Sequence, residues 1–278
     1  MTTVHEPVAA ATADWALSPS RAMDFKTCAL LYRFRVIDRL PEPPSLDAAR
    51  GTVVHAVLER LFDLAADERT VDAAAAMLEP EWSALLAEDP ELAALVADED
   101  GGLTDLLASS QALLKTYFEL EDPQRLEPAE REVLVETTLP SGLALKGFID
   151  RLDRSAAGDL RVVDYKTGKS PAELYEGKAL FQLRFYALVL WRATGVLPRL
   201  LRMLYLRDGC VLDYPPDETD LIALERQLEA LGSAIGRARE RGEWRAKPGP
   251  LCGWCAHQAL CPAFGGTPPP LPELPATG

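Results

Sequence analysis

The chain has 278 residues, 48% of them hydrophobic and 26% charged, which is enough apolar material for one large core. No run of about eighteen apolar residues occurs, and the start MTTVHEPVAAATADWALSPSR lacks a basic stretch followed by an apolar one, so neither a membrane span nor a secretory leader is expected and the protein reads as cytoplasmic. A net charge of −14 speaks against a polyanionic partner, but thirteen acidic residues against one basic, Arg69, lie between Asp63 and Asp105; that segment carries −12 and the rest of the chain only −2.

In chain order, a flexible N-terminus is expected over residues 1–17 and a single domain over 18–264. Within that domain an acidic helical insert is expected over 63–128 and a cysteine-bearing segment over 245–262, with a Pro-rich disordered tail over 265–278. Ser18-Pro19-Ser20 is a helix start, with a capping hydroxyl followed by proline in the first turn, and the short helix it opens delivers Cys28. From Gly51 to Ala65 the spacing of Val54, Leu58, Leu61, Phe62 and Ala65 predicts a helix that carries His55 and Glu59 four residues apart. Val71 to Leu120 reads as two or three helices broken at Pro90 and Gly101-Gly102. The pattern then changes to strands, EVLVETTL from Glu132, LALKGFIDRLDR and LRVVDYKT, joined by short turns as an antiparallel meander. Leu174 to Thr194 is a long apolar helix, LLRMLYL from Leu200 another strand, and Glu218 to Glu243 an amphipathic helix.

Chemistry concentrates on the second and third strands. Asp164 and Lys166 are two apart and project from one strand face, and Asp150 on the preceding strand falls opposite Asp164. Carboxylates on an otherwise apolar strand face are costly unless paired or bound to a cation. Two of them with a lysine suit hydrolysis of a phosphodiester: hard oxygens hold Mg²⁺ or Mn²⁺, and the lysine orients water or stabilises charge on the phosphate. His55 would complete the set and favour manganese somewhat. The same residues also fit a surface salt bridge between Asp150 and Lys166, with Asp164 capping the turn at Thr167-Gly168. In the apolar helix KALFQLRFYALVLW, Gln182 and Tyr186 share one face, as a cleft edge gripping substrate or as a rim facing water.

Of the five cysteines, Cys252, Cys255 and Cys261 form a compact trio that reads as metal ligands. A fourth ligand has three candidates: His257 inside the trio, Cys210 after a hairpin turn, and distant Cys28. The local solution is Zn²⁺ on Cys252, Cys255, His257 and Cys261.

The ordered motifs GTVVHAVLE, GFIDRLD, VVDYKTGK and QLRFY resemble the RecB-type nucleases of the PD-(D/E)XK superfamily, in particular small stand-alone exonucleases, over Ser18 to Cys261. The resemblance implies an α/β fold, a mixed central sheet flanked by helices with a helical insert and iron–sulfur-closed termini. It implies that His55, Asp150, Asp164 and the main-chain carbonyl of Tyr165 bind the divalent metal, that Lys166 is catalytic together with the two aspartates, and that Gln182 and Tyr186 form a Gln-x-x-x-Tyr substrate motif. It also implies that Cys28 joins Cys252, Cys255 and Cys261 around a [4Fe-4S] cluster. The expected activity is a DNA exonuclease in recombination or repair, acting on ends or single strands beside a helicase or other repair protein; the alternative is a non-catalytic DNA-binding or assembly module. The acidic segment departs from the family pattern.

Overall fold

The computed structural model describes residues 15–97, 102–171 and 176–272. Of the N-terminus expected to be flexible, residues 1–14 lie outside the described residues, but Ala16 and Leu17 are buried. The Leu17 amide donates to Ala144 O at 2.8 Å, and Leu17 O accepts from the Lys146 amide at 2.9 Å. Helix α1 (Pro19–Thr27) follows, with the Ser18 hydroxyl accepting from the Arg21 amide as its cap. Helix α2 (Ala29–Tyr32) runs on into a π-type turn over Arg33–Ile37.

Helix α3 (Leu46–Leu61), capped by Ser45, carries His55. Helices α4 (Val71–Glu88), α5 (Ala93–Ala97) and α6 (Gly102–Leu120) make up the acidic segment, with a short 3₁₀ turn at Pro90–Leu92 where the break is expected; Gly101 lies outside the described residues. The segment packs an inner stripe of Leu78, Trp82, Leu106, Leu114 and Tyr117 onto α3 and leaves its charges outside. Between Asp63 and Asp105 the single basic residue is used internally: buried Arg69 donates to the carbonyls of Leu64, Pro123 and Leu126.

The sheet has the spatial order β1 (Glu130–Thr138), β2 (Ala144–Arg154), β3 (Leu160–Lys166), β4 (Leu200–Tyr205), β5 (Cys210–Tyr214). Strands β1, β2 and β3 form the antiparallel meander, whereas β3 and β4 are parallel. A parallel pair needs a crossover, and helix α7 (Glu176–Thr194) supplies it. Helix α8 (Glu218–Arg241), capped by Asp217, ends at Gly242 in the left-handed region with φ 66°.

Successive residues of β3 feed opposite cores, as period-two alternation requires: Val162 packs with α7 and α8 residues such as Leu183 and Leu228, and Val163 with Leu58 and Leu114 on the other face. The result is a mixed five-stranded α/β sheet with helices on both sides. Part of the expected tail lies against the body, where the Arg33 guanidinium donates to Pro269 O; residues 273–278 are outside the described residues. No described helix is long and apolar enough to cross a membrane.

Candidate active site

Strands β2 and β3 pair from Arg154↔Leu160 to Arg151↔Val163 and then part, so that Asp150 and Asp164 stand at the mouth of a fork in the sheet. The Asp150 side chain takes over from the ladder, its Oδ2 accepting from the Tyr165 amide at 2.7 Å. Before the fork, Leu145 and Ile149 of β2 enter the α7 core; beyond it Leu152 does, so the face of the strand shifts by one residue at Asp150. The alternation that would put Phe148, Asp150 and Leu152 on one face is broken: Phe148 is exposed and Leu152 buried.

The source of the shift stands opposite. Glu132 lies between the pairs Arg131↔Arg151 and Val133↔Ile149, and its φ of 42° puts a non-glycine residue in the left-handed region. Such a conformation costs about 1–3 kcal/mol and is typically held at functional sites. Here it sets the Glu132 carboxylate 3.7 Å from His55 Nδ1, where Asp150 Oδ2 is 3.6 Å away. His55 Nε2 lies 3.0 Å from the carbonyl oxygen of Tyr165. His55, Glu132 and Asp150 each offer a ligand atom within 4.8 Å of the others. Glu132 is absent from the sequence expectation, and no periodicity marks it; only its register opposite Asp150 would have done so.

Asp164 is buried and pairs with Lys166, Oδ2 to Nζ at 2.6 Å. Gln182 holds both groups: its Oε1 accepts from Lys166 Nζ at 2.9 Å, and its Nε2 donates to Asp164 Oδ1 at 2.9 Å and to the Tyr186 hydroxyl at 2.8 Å. Lys166 therefore pairs with Asp164, not with Asp150, and Tyr186 is buried instead of forming a water-facing rim. Tyr186 reaches this place because β2 has Gly147 there; a Cβ would come within 2.5 Å of the tyrosine ring. The Tyr165 side chain points to the other core, where its hydroxyl accepts from buried Arg151 at 2.8 Å.

Electrostatics match a site built to receive positive charge. Burial, reinforced by the Asp164 carboxylate, pushes the Asp150 pKa up to about 7, against the pull of His55 and the Tyr165 amide. Burial disfavours a charged His55 ring, but Glu132, Asp150 and Asp164 together outweigh it and raise its pKa. Carboxylates this close, in a dry fork, are relieved by a shared cation. His55 nitrogen, carboxylate oxygens and a main-chain carbonyl are the donor set that magnesium or manganese accepts.

The cysteines behave differently from the expectation. Among the described residues their sulfurs are not gathered into a ligand set; two engage backbone amides instead, Cys28 Sγ accepting from distant Lys247 N at 3.4 Å and Cys252 Sγ from Gly249 N at 3.3 Å. Cys28, Cys252, Cys255 and Cys261 do line one cavity of about 520 Å³ between the two ends of the chain. His257 is not in its lining: it is buried against the Phe34 ring with Nε2 2.9 Å from Glu42, so it is not gathered with Cys252, Cys255 and Cys261 as the expected zinc knuckle requires. Cys210 is exposed on β5.

The mixed five-stranded sheet with helices on both faces is the architecture of a nuclease core. The chain belongs to the PD-(D/E)XK nuclease superfamily, whose family model matches residues 16–262. It is similar in fold to the crystal structure of a proposed exonuclease from Eubacterium rectale, 13% identical, with a TM-score of 0.59 covering 92% of this chain and 93% of that one. A second solved chain, SSO0001, is 20% identical and covers 66% of this chain and 80% of its own length, but its TM-score of 0.36 carries no argument. Among curated proteins none matches the sequence.

Proposed function

We propose that the protein is a divalent-metal-dependent DNA exonuclease of the RecB kind, hydrolysing phosphodiester bonds at ends or single strands in recombination or repair. The observation that carries this reading is the gathering of Asp150 at 3.6 Å from His55 Nδ1 and of the Tyr165 carbonyl at 3.0 Å from His55 Nε2, beside the Asp164–Lys166 pair. The description of the Eubacterium rectale structure as an exonuclease agrees with it.

His55, Asp150, Asp164 and the Tyr165 carbonyl would hold magnesium or manganese, with Glu132 beside them. When bound, that ion polarises the phosphate and lowers the pKa of a coordinated water. The chain supplies the rest. Asp164 and Gln182 fix the Lys166 ammonium at the mouth of the fork, where it meets the charge that develops on the phosphate oxygens. The Gln182–Tyr186 pair keeps Asp164 oriented, so the motif first read as a substrate grip also acts on the catalytic pair.

The iron–sulfur reading is narrower. It is supported by four cysteines from both ends of the chain around one cavity and by amides that donate to two of the sulfurs. A [4Fe-4S] cluster there would tie α1 to the C-terminal segment. A helicase or other repair protein would be a separate chain. The test is cleavage of end-labelled single-stranded and duplex DNA by anaerobically purified protein with magnesium, with manganese and with EDTA. Release of mononucleotides or short fragments from ends, abolished by EDTA, is expected. Intact DNA under every metal condition would leave the binding or assembly module as the reading.

A further inference from the structure

Between α1, α7 and the Lys146–Phe148 stretch of β2 lies a cavity of about 480 Å³. Gln182, which holds Asp164 and Lys166, and its partner Tyr186 form part of its wall, so the cavity lies against the candidate active site. Its remaining lining contrasts with the chain as a whole. Arg21 and Lys146 contribute positive charge, Ser18 and Ser20 contribute hydroxyls, Phe148 contributes a ring, and no acidic residue is among the described residues that line it. In a chain of net charge −14, that balance suits phosphate.

The wall is firmly built. The Lys146 amide donates to Leu17 O at 2.9 Å, which fixes β2 against the segment leading into α1, and the Ser18 and Ser20 hydroxyls lie 3.0 Å apart on the first turn of that helix. Phe148 is 56% exposed beside its cross-strand partner Leu134, itself 46% exposed. An aromatic ring left in water two residues from Asp150, at the rim of a basic cavity, has the chemistry of a stacking platform for a base.

We propose that this cavity seats the nucleotide next to the scissile phosphate of a single-stranded end, with Phe148 stacked on its base and Lys146 and the Ser20 hydroxyl on its phosphate. The assignment rests on the nuclease reading above. Its volume falls within the roughly 300–1,000 Å³ of small-ligand sites. Single strands are specified because a base inside a duplex is already stacked and paired, so Phe148 reaches a base face only when the strand is open. Stacking does not discriminate among bases, so the seat reads strandedness and not sequence.

The experiment is binding of fluorescein-labelled oligonucleotides, followed by anisotropy with calcium in place of magnesium, together with cleavage of the same strands in magnesium. One abasic position is moved stepwise from the end. Wild-type protein is expected to lose about tenfold in affinity when the abasic position occupies the seat, and to bind a blunt duplex more weakly than the single strand. Phe148→Ala should bind all abasic strands alike and raise KM with kcat within a few-fold of wild type, while Phe148→Trp keeps the wild-type profile. Lys146→Gln should lower the salt slope of binding by about one. Phe148 is exposed, so loss of folding does not confound the variant, and circular dichroism checks this directly. Wild-type protein that cleaves DNA while Phe148→Ala keeps the full abasic profile would overturn the seat alone. A wild-type protein that neither binds nor cleaves nucleic acid would overturn the nuclease reading and the seat with it.

Discussion

His55 and Tyr165 lie 110 residues apart in sequence, yet the Nε2 of one is 3.0 Å from the main-chain oxygen of the other. Helix α3 is pressed onto the sheet by Val54, Val57 and Leu58, and the Tyr165 ring packs in that same core, edge-on to the His55 ring. Packing therefore sets the distance between the imidazole and the carbonyl. A cation placed between them would meet donors already in position.

Asp164→Ala and Lys166→Ala are each expected to lower divalent-dependent cleavage by about 10²-fold or more, since the proposed mechanism puts both groups where charge develops in the transition state. Lys166 is partly exposed and its loss should leave the fold intact; Asp164 is buried, so Asp164→Asn is the companion variant that keeps its shape. Cleavage at the wild-type rate by folded Lys166→Ala would remove the lysine from the mechanism.

Glu132 gives a sharper test, because it combines a left-handed backbone with a carboxylate 3.7 Å from His55 Nδ1. Glu132→Gln should weaken manganese binding about 10–100-fold, the range for partners that orient a ligating histidine. Isothermal titration with manganese measures it. Glu132→Gly relieves the backbone, so it should raise thermal stability even as it loses metal affinity. Unchanged manganese affinity in both variants would show that Glu132 faces His55 without serving the site.

How much of this was legible follows the range of each signal. The strand alternation at Val162 to Lys166 and the helical spacing around His55 are local, and both the elements and the opposition of Asp150 to Asp164 are present in the structure. The shift of face at Asp150 was not legible, since it comes from a backbone angle at Glu132 on another strand. Gln182 stood out as polar on an apolar helix, but its partners, Asp164 and Lys166, lie across a crossover that fixes no distance in sequence. His257 looked like a ligand through its place among cysteines; Phe34 and Glu42, more than two hundred residues earlier in the chain, decide its surroundings instead.

Beneath the site, Arg151 is buried between Glu121 at 2.8 Å, Asp153 and the Tyr165 hydroxyl. Removing one member leaves buried charge without its partner. Arg151→Met is expected to destabilise the fold by about 3–5 kcal/mol, seen as a lower midpoint in urea, whereas Arg199→Met, whose side chain is 77% exposed beside Asp159, should cost about 1 kcal/mol or less. Equal effects of the two would mean that burial does not set the strength of this network.

The cysteines separate two chemistries that a single elemental measurement can distinguish. With a [4Fe-4S] cluster, anaerobically purified protein is brown and contains iron and acid-labile sulfide, and Cys28→Ser loses both. With zinc on the C-terminal trio alone, the protein is colourless and Cys28→Ser keeps its metal. Three observations bear on this choice: His257 is turned to Glu42, away from a zinc knuckle; Cys28 lines one cavity with Cys252, Cys255 and Cys261; and among the described residues the sulfurs are not gathered into a ligand set. Closing that cavity with a cluster would link segments more than two hundred residues apart, a closure worth several kcal/mol by analogy with a disulfide of such span, roughly 5 kcal/mol in the chain-entropy account. Cys28→Ser should therefore lower the thermal midpoint by well over the change seen for Cys210→Ser, whose thiol is exposed on β5 and touches none of this. Protein that holds one zinc, no iron and an unchanged midpoint in Cys28→Ser would discard the cluster in favour of zinc on the C-terminal trio, an outcome that leaves the candidate site at Asp150 and Asp164 untouched.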